Sequence, residues 1–150
     1  MTLRPMTMAD ADLMLEWKNY HETKKFSILL HHEDIKKEDH YLWLSFHLPY
    51  FQIINASVVT KVDINGATGI TGPAGAIRIQ DNEISIWVDR NFRGHQIASK
   101  ALKLVATEGM IAKIVDGNIP SMRAFINAGF KPIEYVNNSD YRNNYYIFKK

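Results

Sequence analysis

The chain has 150 residues, with 18 Lys+Arg against 16 Asp+Glu, six His and no Cys. That length fits one domain able to bury roughly two-thirds of its unfolded surface, and the missing Cys excludes disulfides, thiolate metal ligands and a cysteine nucleophile. A formal charge of +2 makes no case for nucleic acid, no apolar run reaches the ~18 residues of a membrane span, and the polar opening lacks the apolar segment of a secretory signal. We expect a soluble, cytoplasmic, single domain over residues 1–150.

Thr7 followed by Asp10 resembles a capping box, and Leu13, Met14 and Trp17 recur at helical spacing, which predicts a helix over 10–20. A second helix is expected over 35–48. Tyr41, Leu44 and Leu48 share one of its stripes, and His40, Trp43 and His47 a neighbouring one. Beyond Pro49 the composition turns to strand over 50–54. Residues 55–73 carry Gly66, Gly69 and Gly72 among β-branched residues and predict a strand or hairpin with loose turns. Segments 76–79 and 83–88, joined by a polar turn, read as an antiparallel hairpin.

A polar loop then opens a helix over about 97–108, with Ile97, Ala101, Leu104 and Val105 as its buried stripe. A strand over 113–116 precedes Gly117, Asn118 and a helix that starts near Pro120 and stops at Gly129, a residue suited to a left-handed C-cap. Strands over 131–136 and 144–148 close the chain around an Asn-rich loop. The order α-α-β-β-β-loop-α-β-α-β-β belongs to an α/β (α+β) fold.

The strand–loop–helix unit over 83–108 carries the first chemical signal. Unpaired N–H groups and the positive dipole end of a helix can cradle phosphate, and Gly94 permits close approach. The same Gly also serves turn geometry in many folds, so both readings stay open at this point.

The run Arg93-Gly94-His95-Gln96-Ile97-Ala98, followed by Ser99, resembles the acetyl-CoA pyrophosphate loop of the GNAT N-acetyltransferase superfamily, Gln/Arg-x-x-Gly-x-Gly/Ala. Gln96 replaces its central Gly. A second stretch, Asn118 to Phe130 with Ser121 and Phe125, resembles the Asn-x-x-Ser/Ala-x-x-x-Tyr/Phe-x-x-x-Gly-Phe segment that borders the CoA arm. With Leu3-Arg4-Pro5 the resemblance covers nearly the whole chain, and 55–73 matches least.

The resemblance implies a mixed central sheet of six or seven strands, flanked by about four helices and splayed where acetyl-CoA binds. It implies direct transfer of acetyl to an amine, with no metal. Backbone freed at Trp87 and Val88 would hold pantetheine and polarise the thioester. Asn118, Ser121 and Phe125 would border the arm. Glu83 shares a strand face with Ser85 and Trp87 and is the candidate base. Its bland reading is a hairpin charge beside Asp81. Phe125 stands where the family often has the Tyr that protonates the thiolate, so Tyr141, Tyr145 or Tyr146 of the last hairpin is the substitute, with Tyr145 preferred.

In the N-terminal half, Glu16-Trp17-Lys18-Asn19 and Glu38-x-His40-x-x-Trp43 resemble amino-sugar N-acetyltransferases of the pseudaminic-acid type, which act on a nucleotide-linked amino sugar. Trp17, Asn19 and His40 are the candidate acceptor residues, although amphipathic Trp more often belongs to a core. Lys18 stands where Arg is usual. His31-His32 and His40 with His47 lack a third ligand for a metal. Lys24-Lys25 and Lys36-Lys37 read as surface charge, one pair of which could meet a nucleotide phosphate. Three functions fit: a small-molecule amine acetyltransferase (amino-sugar or aminoglycoside), a protein N-terminal or lysine acetyltransferase, and a non-catalytic acetyl-CoA-binding module. A monomer or homodimer is expected.

Overall fold

The computed structural model describes residues 1–29, 33–138 and 142–150. Seven strands form one sheet in the order β1-β2-β3-β4-β5-β7-β6, with β1 Thr2–Pro5, β2 Phe51–Asp63, β3 Gly66–Gln80, β4 Glu83–Val88, β5 Ile111–Val115, β6 Lys131–Val136 and β7 Tyr145–Lys149. The α-helices are α1 Ala11–Asn19, α2 His21–Lys25, α3 Lys37–His47, α4 Ile97–Val105 and α5 Ile119–Asn127. None of the described helices is long and apolar enough to cross a membrane.

Strand alternation sorts the apolar residues to two cores, one on each face of the sheet. On one face α1 and α3 cover Phe51, Ile53 and Ala76 with Met14, Trp17 and Leu44. On the other, α4 and α5 cover Ile54, Ile77 and Ile84 with Ile97, Ala101, Leu102, Phe125 and Phe130. The register aligns Phe51, Arg78 and Ser85 across three strands, beside Ala76 with Trp87 and Gln80 with Glu83. All of these lie on the α1–α3 face.

The structure corrects several sequence expectations. Segments 50–54, 55–73 and 76–79 are parts of one long hairpin, β2–β3. Its glycines are built into the ladder: a Cβ on Gly75 would collide with the Trp87 carbonyl oxygen. β1 has no sequence signature, because four residues ending in Pro are too short for a period-two pattern. α2 supplies a fifth helix. α4 stops at Val105, where Ala106 turns extended, so Leu104 lies exposed instead of in the buried stripe.

Candidate active site

β4 and β5 run parallel but share a single register pair, Glu83 with Ile111. Beyond that pair they diverge, which leaves the inner backbone of β4 from Ser85 to Val88 without a parallel partner. The mouth of this wedge meets the loop that opens α4. Asp89 starts the loop, accepting from Asn91 N at 2.8 Å while its own N–H donates to Ala74 O at 2.8 Å. Gly94 has φ +79° and Gln96 φ 59°, ψ 26°. Gln96 therefore holds the left-handed conformation that a central Gly would supply, at a cost of about 1–2 kcal/mol.

Two left-handed residues form the turn that leads from β4 into α4, whose first N–H groups are free by helix geometry. The side chains of Ile97 and Ser99 are buried, with Ser99 Oγ donating to Gln96 O at 3.3 Å. What this loop offers a ligand is backbone. His95 is occupied as a brace, Nδ1 at 2.9 Å from Arg93 O and Nε2 at 3.1 Å from Val59 O, which ties the loop to the β2–β3 hairpin. Arg93 and Arg90 lie 3.9 and 3.6 Å from the Glu22 carboxylate, and Arg90 stacks on Tyr20 at 3.9 Å.

Trp17 is not a pocket wall. It is fully buried, and its Nε1 donates to Asp89 Oδ2 at 2.9 Å. An indole sealed in the core on the sheet side of α1 has no face to give a sugar. Asn19 is a tether: its amide donates to Ile35 O at 3.2 Å and accepts from Ile35 N at 2.8 Å. His40 does reach a cavity. That cavity measures about 360 Å³ and is lined by Lys18, Ile35, Asp39, His40 and Trp43. Trp43 packs edge-on against Phe51 at 5.8 Å, and Phe51 against Trp87 at 5.9 Å, so aromatic rings connect the cavity to the wedge strand.

Two cavity residues have unusual electrostatics. Lys18 Nζ sits 3.4 Å from the Trp43 ring centroid, and burial, reinforced by Arg78, pushes its pKa down to about 8. His40 is 2% exposed. Its Nε2 meets Ala11 O at 2.9 Å, so the neutral ring donates there and leaves Nδ1 as a lone pair; that atom has no partner. Burial holds the His40 pKa below its usual value. Lys18 was legible in the sequence only as a replacement for Arg, and Arg78 had no signal apart from lying on a strand.

The remaining candidates divide. Glu83 pairs with Lys113 at 3.5 Å, and Lys113 Nζ is 6.0 Å from the Tyr145 ring, so Glu83 and Tyr145 lie on one face joined through Lys113. Tyr146 packs against Tyr135 and Phe148 in the opposite core. Asn118 caps α5, its Oδ1 accepting from Ser121 N at 3.4 Å. Phe125 is 2% exposed and packs edge-on to Phe130 at 5.0 Å, so it is a core residue and borders nothing outside. His31, His32 and Tyr141 lie outside the described residues.

A seven-stranded mixed sheet, opened between two parallel strands beside a left-handed loop and helix, defines an acetyltransferase fold. Residues 1–131 match the acetyltransferase (GNAT) domain, and the chain belongs to that family. A solved domain from Methanocaldococcus jannaschii is similar over 99% of this chain and 96% of its own, with 22% identity and a TM-score of 0.72. Ribosomal-protein-alanine N-acetyltransferase from Brucella melitensis is 19% identical over 99% and 97%, with a TM-score of 0.65. AAC(6')-Ib, solved with paromomycin and acetyl-CoA, is 14% identical over 99% and 92%, with a TM-score of 0.64. No curated protein matches the chain significantly in sequence.

Proposed function

We propose that this acetyltransferase moves the acetyl group of acetyl-CoA directly to a primary amine of a small molecule, with an amino sugar as one acceptor class. The observation that carries the reading is the single β4–β5 pair, because the unpaired backbone beyond it offers N–H and C=O groups to an extended amide-bearing arm. The backbone from Arg93 to Ser99 fits a pyrophosphate: Gly94 and Gln96 hold the turn, and α4 adds free N–H groups. Asn118 and Ser121 flank the arm from α5. Trp87 and Val88 hold its end.

The acceptor enters from the α1–α3 face. Transfer requires a neutral amine, a group to take its proton and donors toward the thioester oxygen. Glu83 is the carboxylate assigned to the proton, Tyr145 the hydroxyl assigned to the leaving thiolate, and His40 the hydrogen-bond acceptor for the amine's own scaffold. A cavity of about 360 Å³ is of the size that takes a small molecule.

The test is CoA release from acetyl-CoA with nucleotide amino sugars, aminoglycosides, polyamines and peptides offered in turn. Turnover with a small amine supports the reading, and turnover with peptides alone replaces it by protein acetylation. Acetyl-CoA binding with no turnover of any class would make the chain a binding module. His40→Ala should lose acceptor turnover while acetyl-CoA affinity stays; loss of stability with normal specific activity would make His40 structural.

A further inference from the structure

Lys18 and Arg78 are two cations on one face of the sheet that form no ion pair among the described residues. Arg78 donates to the neutral Gln80 carbonyl through Nη2, and its Nε is buried without a partner. Lys18 lies against the Trp43 ring in the cavity wall, near enough to Arg78 for the two charges to repel. Asp39 also lines the cavity but is exposed and forms no ion pair among the described residues. Holding two such cations partly away from water is costly. The cost is recovered wherever an anion arrives between them.

A third polar group beside this space belongs to His40, which lines the same cavity and whose buried Nδ1 has no partner among the described residues. Trp43 and Ile35 add apolar wall. A complementary ligand therefore joins an anionic group, a nearby O–H or N–H, and a compact apolar or sugar-like body. A polycation is repelled by Lys18 and Arg78.

We infer that Lys18 and Arg78 form an anion-reading subsite of the acceptor pocket, so that the amine acetylated by this chain carries a carboxylate or a phosphate. The inference rests on the acetyl-transfer reading above for the identity of the ligand as acceptor, but the subsite itself is a matter of binding. Lys18 and Arg78 anchor the far end of the acceptor, His40 lies in the same cavity wall, and the free amine is the opposite end, directed toward the β4 strand.

Calorimetry tests this without turnover. With CoA at saturation, glucosamine 6-phosphate is compared with glucosamine, methionine with methioninamide, and spermidine serves as the polycation. The anionic member of at least one pair should bind tenfold or more tightly than its partner and than spermidine. The pair that discriminates identifies phosphate or carboxylate. Lys18→Met should remove the discrimination at unchanged CoA affinity, and Lys18→Arg should restore it. Arg78→Gln reads the same loss from the second cation should Lys18→Met not fold. Equal binding within both pairs, preference for spermidine, or undiminished discrimination in Lys18→Met overturns the subsite. Failure to bind CoA overturns acetyl transfer instead, and the pairs titrated into CoA-free protein then still decide the subsite.

Discussion

The Trp17 indole donates to the Asp89 carboxylate across 2.9 Å, joining the first helix to the residue that starts the left-handed loop seventy-two positions later. Tyr20 O–H adds a longer bond of 3.4 Å to the same oxygen, and Asn91 N–H occupies the other. The α1 segment and the loop that opens α4 are therefore fastened at one buried carboxylate. Asp89→Ala leaves two buried donors unpaired, each worth ~1–3 kcal/mol. Urea unfolding should show a loss of about 3 kcal/mol, accompanied by weaker acetyl-CoA binding as the turn at Arg90–Phe92 loosens. A loss under 1 kcal/mol would mean that water replaces the carboxylate.

Gln96 is a non-glycine residue held at φ 59°. Gln96→Gly should relieve the left-handed penalty of ~1–2 kcal/mol and give back ~0.5–1 kcal/mol in added chain entropy. The net is a gain of about 0.5–1 kcal/mol, visible as a rise in Tm. Gly94→Val tests the neighbouring turn in the opposite direction. No atom lies within 4 Å of the added Cβ, but φ +79° is hostile to a β-branched residue. Acetyl-CoA affinity should fall at least tenfold, about 1.4 kcal/mol, with the sheet intact.

Lys18 makes stability depend on pH in a stated direction. Its folded pKa of about 8 lies below the ordinary 10.5, so between these values the unfolded chain binds more protons and stability rises with pH. The penalty is complete below pH ~8 and is gone above pH ~10.5, for a span of about 3 kcal/mol. Lys18→Met should exceed the parent in stability at pH 7 by up to that amount, less the ~1 kcal/mol of the ammonium–ring contact. The advantage should vanish by pH 10.5 in paired denaturation curves. A constant difference across that range would place the ammonium in water.

His40 adds a second, acid-side dependence. Its folded pKa is lowered by burial, so the unfolded chain takes up a proton first as pH falls through ~6.5. Stability is lost on that descent, and His40→Gln should show a shallower acid limb than the parent in melting curves from pH 7 to 5.

Glu83→Gln distinguishes proton handling from packing. Glu83 lies four residues before Trp87, about 13 Å along a strand, and is held by Lys113. As the base, working through water, it should cost ~100-fold in kcat at unchanged acetyl-CoA KM. An unchanged kcat would leave Glu83 only the ion pair with Lys113.

Much of this architecture was legible along the chain because the signals are local. Period-two alternation placed Glu83, Ser85 and Trp87 on one face. The Arg93–Ala98 pattern and the Asn118–Phe130 stretch marked the two elements beside the wedge, and Gly129 ended α5 with a left-handed φ of +97°. Those features depend on neighbours within a few residues. Gln96 does not belong here: in the sequence it is a departure from the loop pattern, and only the structure shows that it holds the left-handed conformation.

The pocket was decided only by tertiary structure. Trp17, Asn19 and Trp43 have the same standing in a helical pattern, yet one is sealed in the core, one clamps Ile35 and one lines the cavity. Helix periodicity states which residues share a side of α1 or α3, but not which strand residue will meet them. The charge of Lys18 acquires its meaning from Arg78, sixty positions away, and the His40 lone pair from the Ala11 carbonyl that engages the opposite nitrogen. Burial and electrostatics are properties of long-range contact, and contacts between helix and sheet exist only once the hairpin β2–β3 has brought Arg78 beside Phe51.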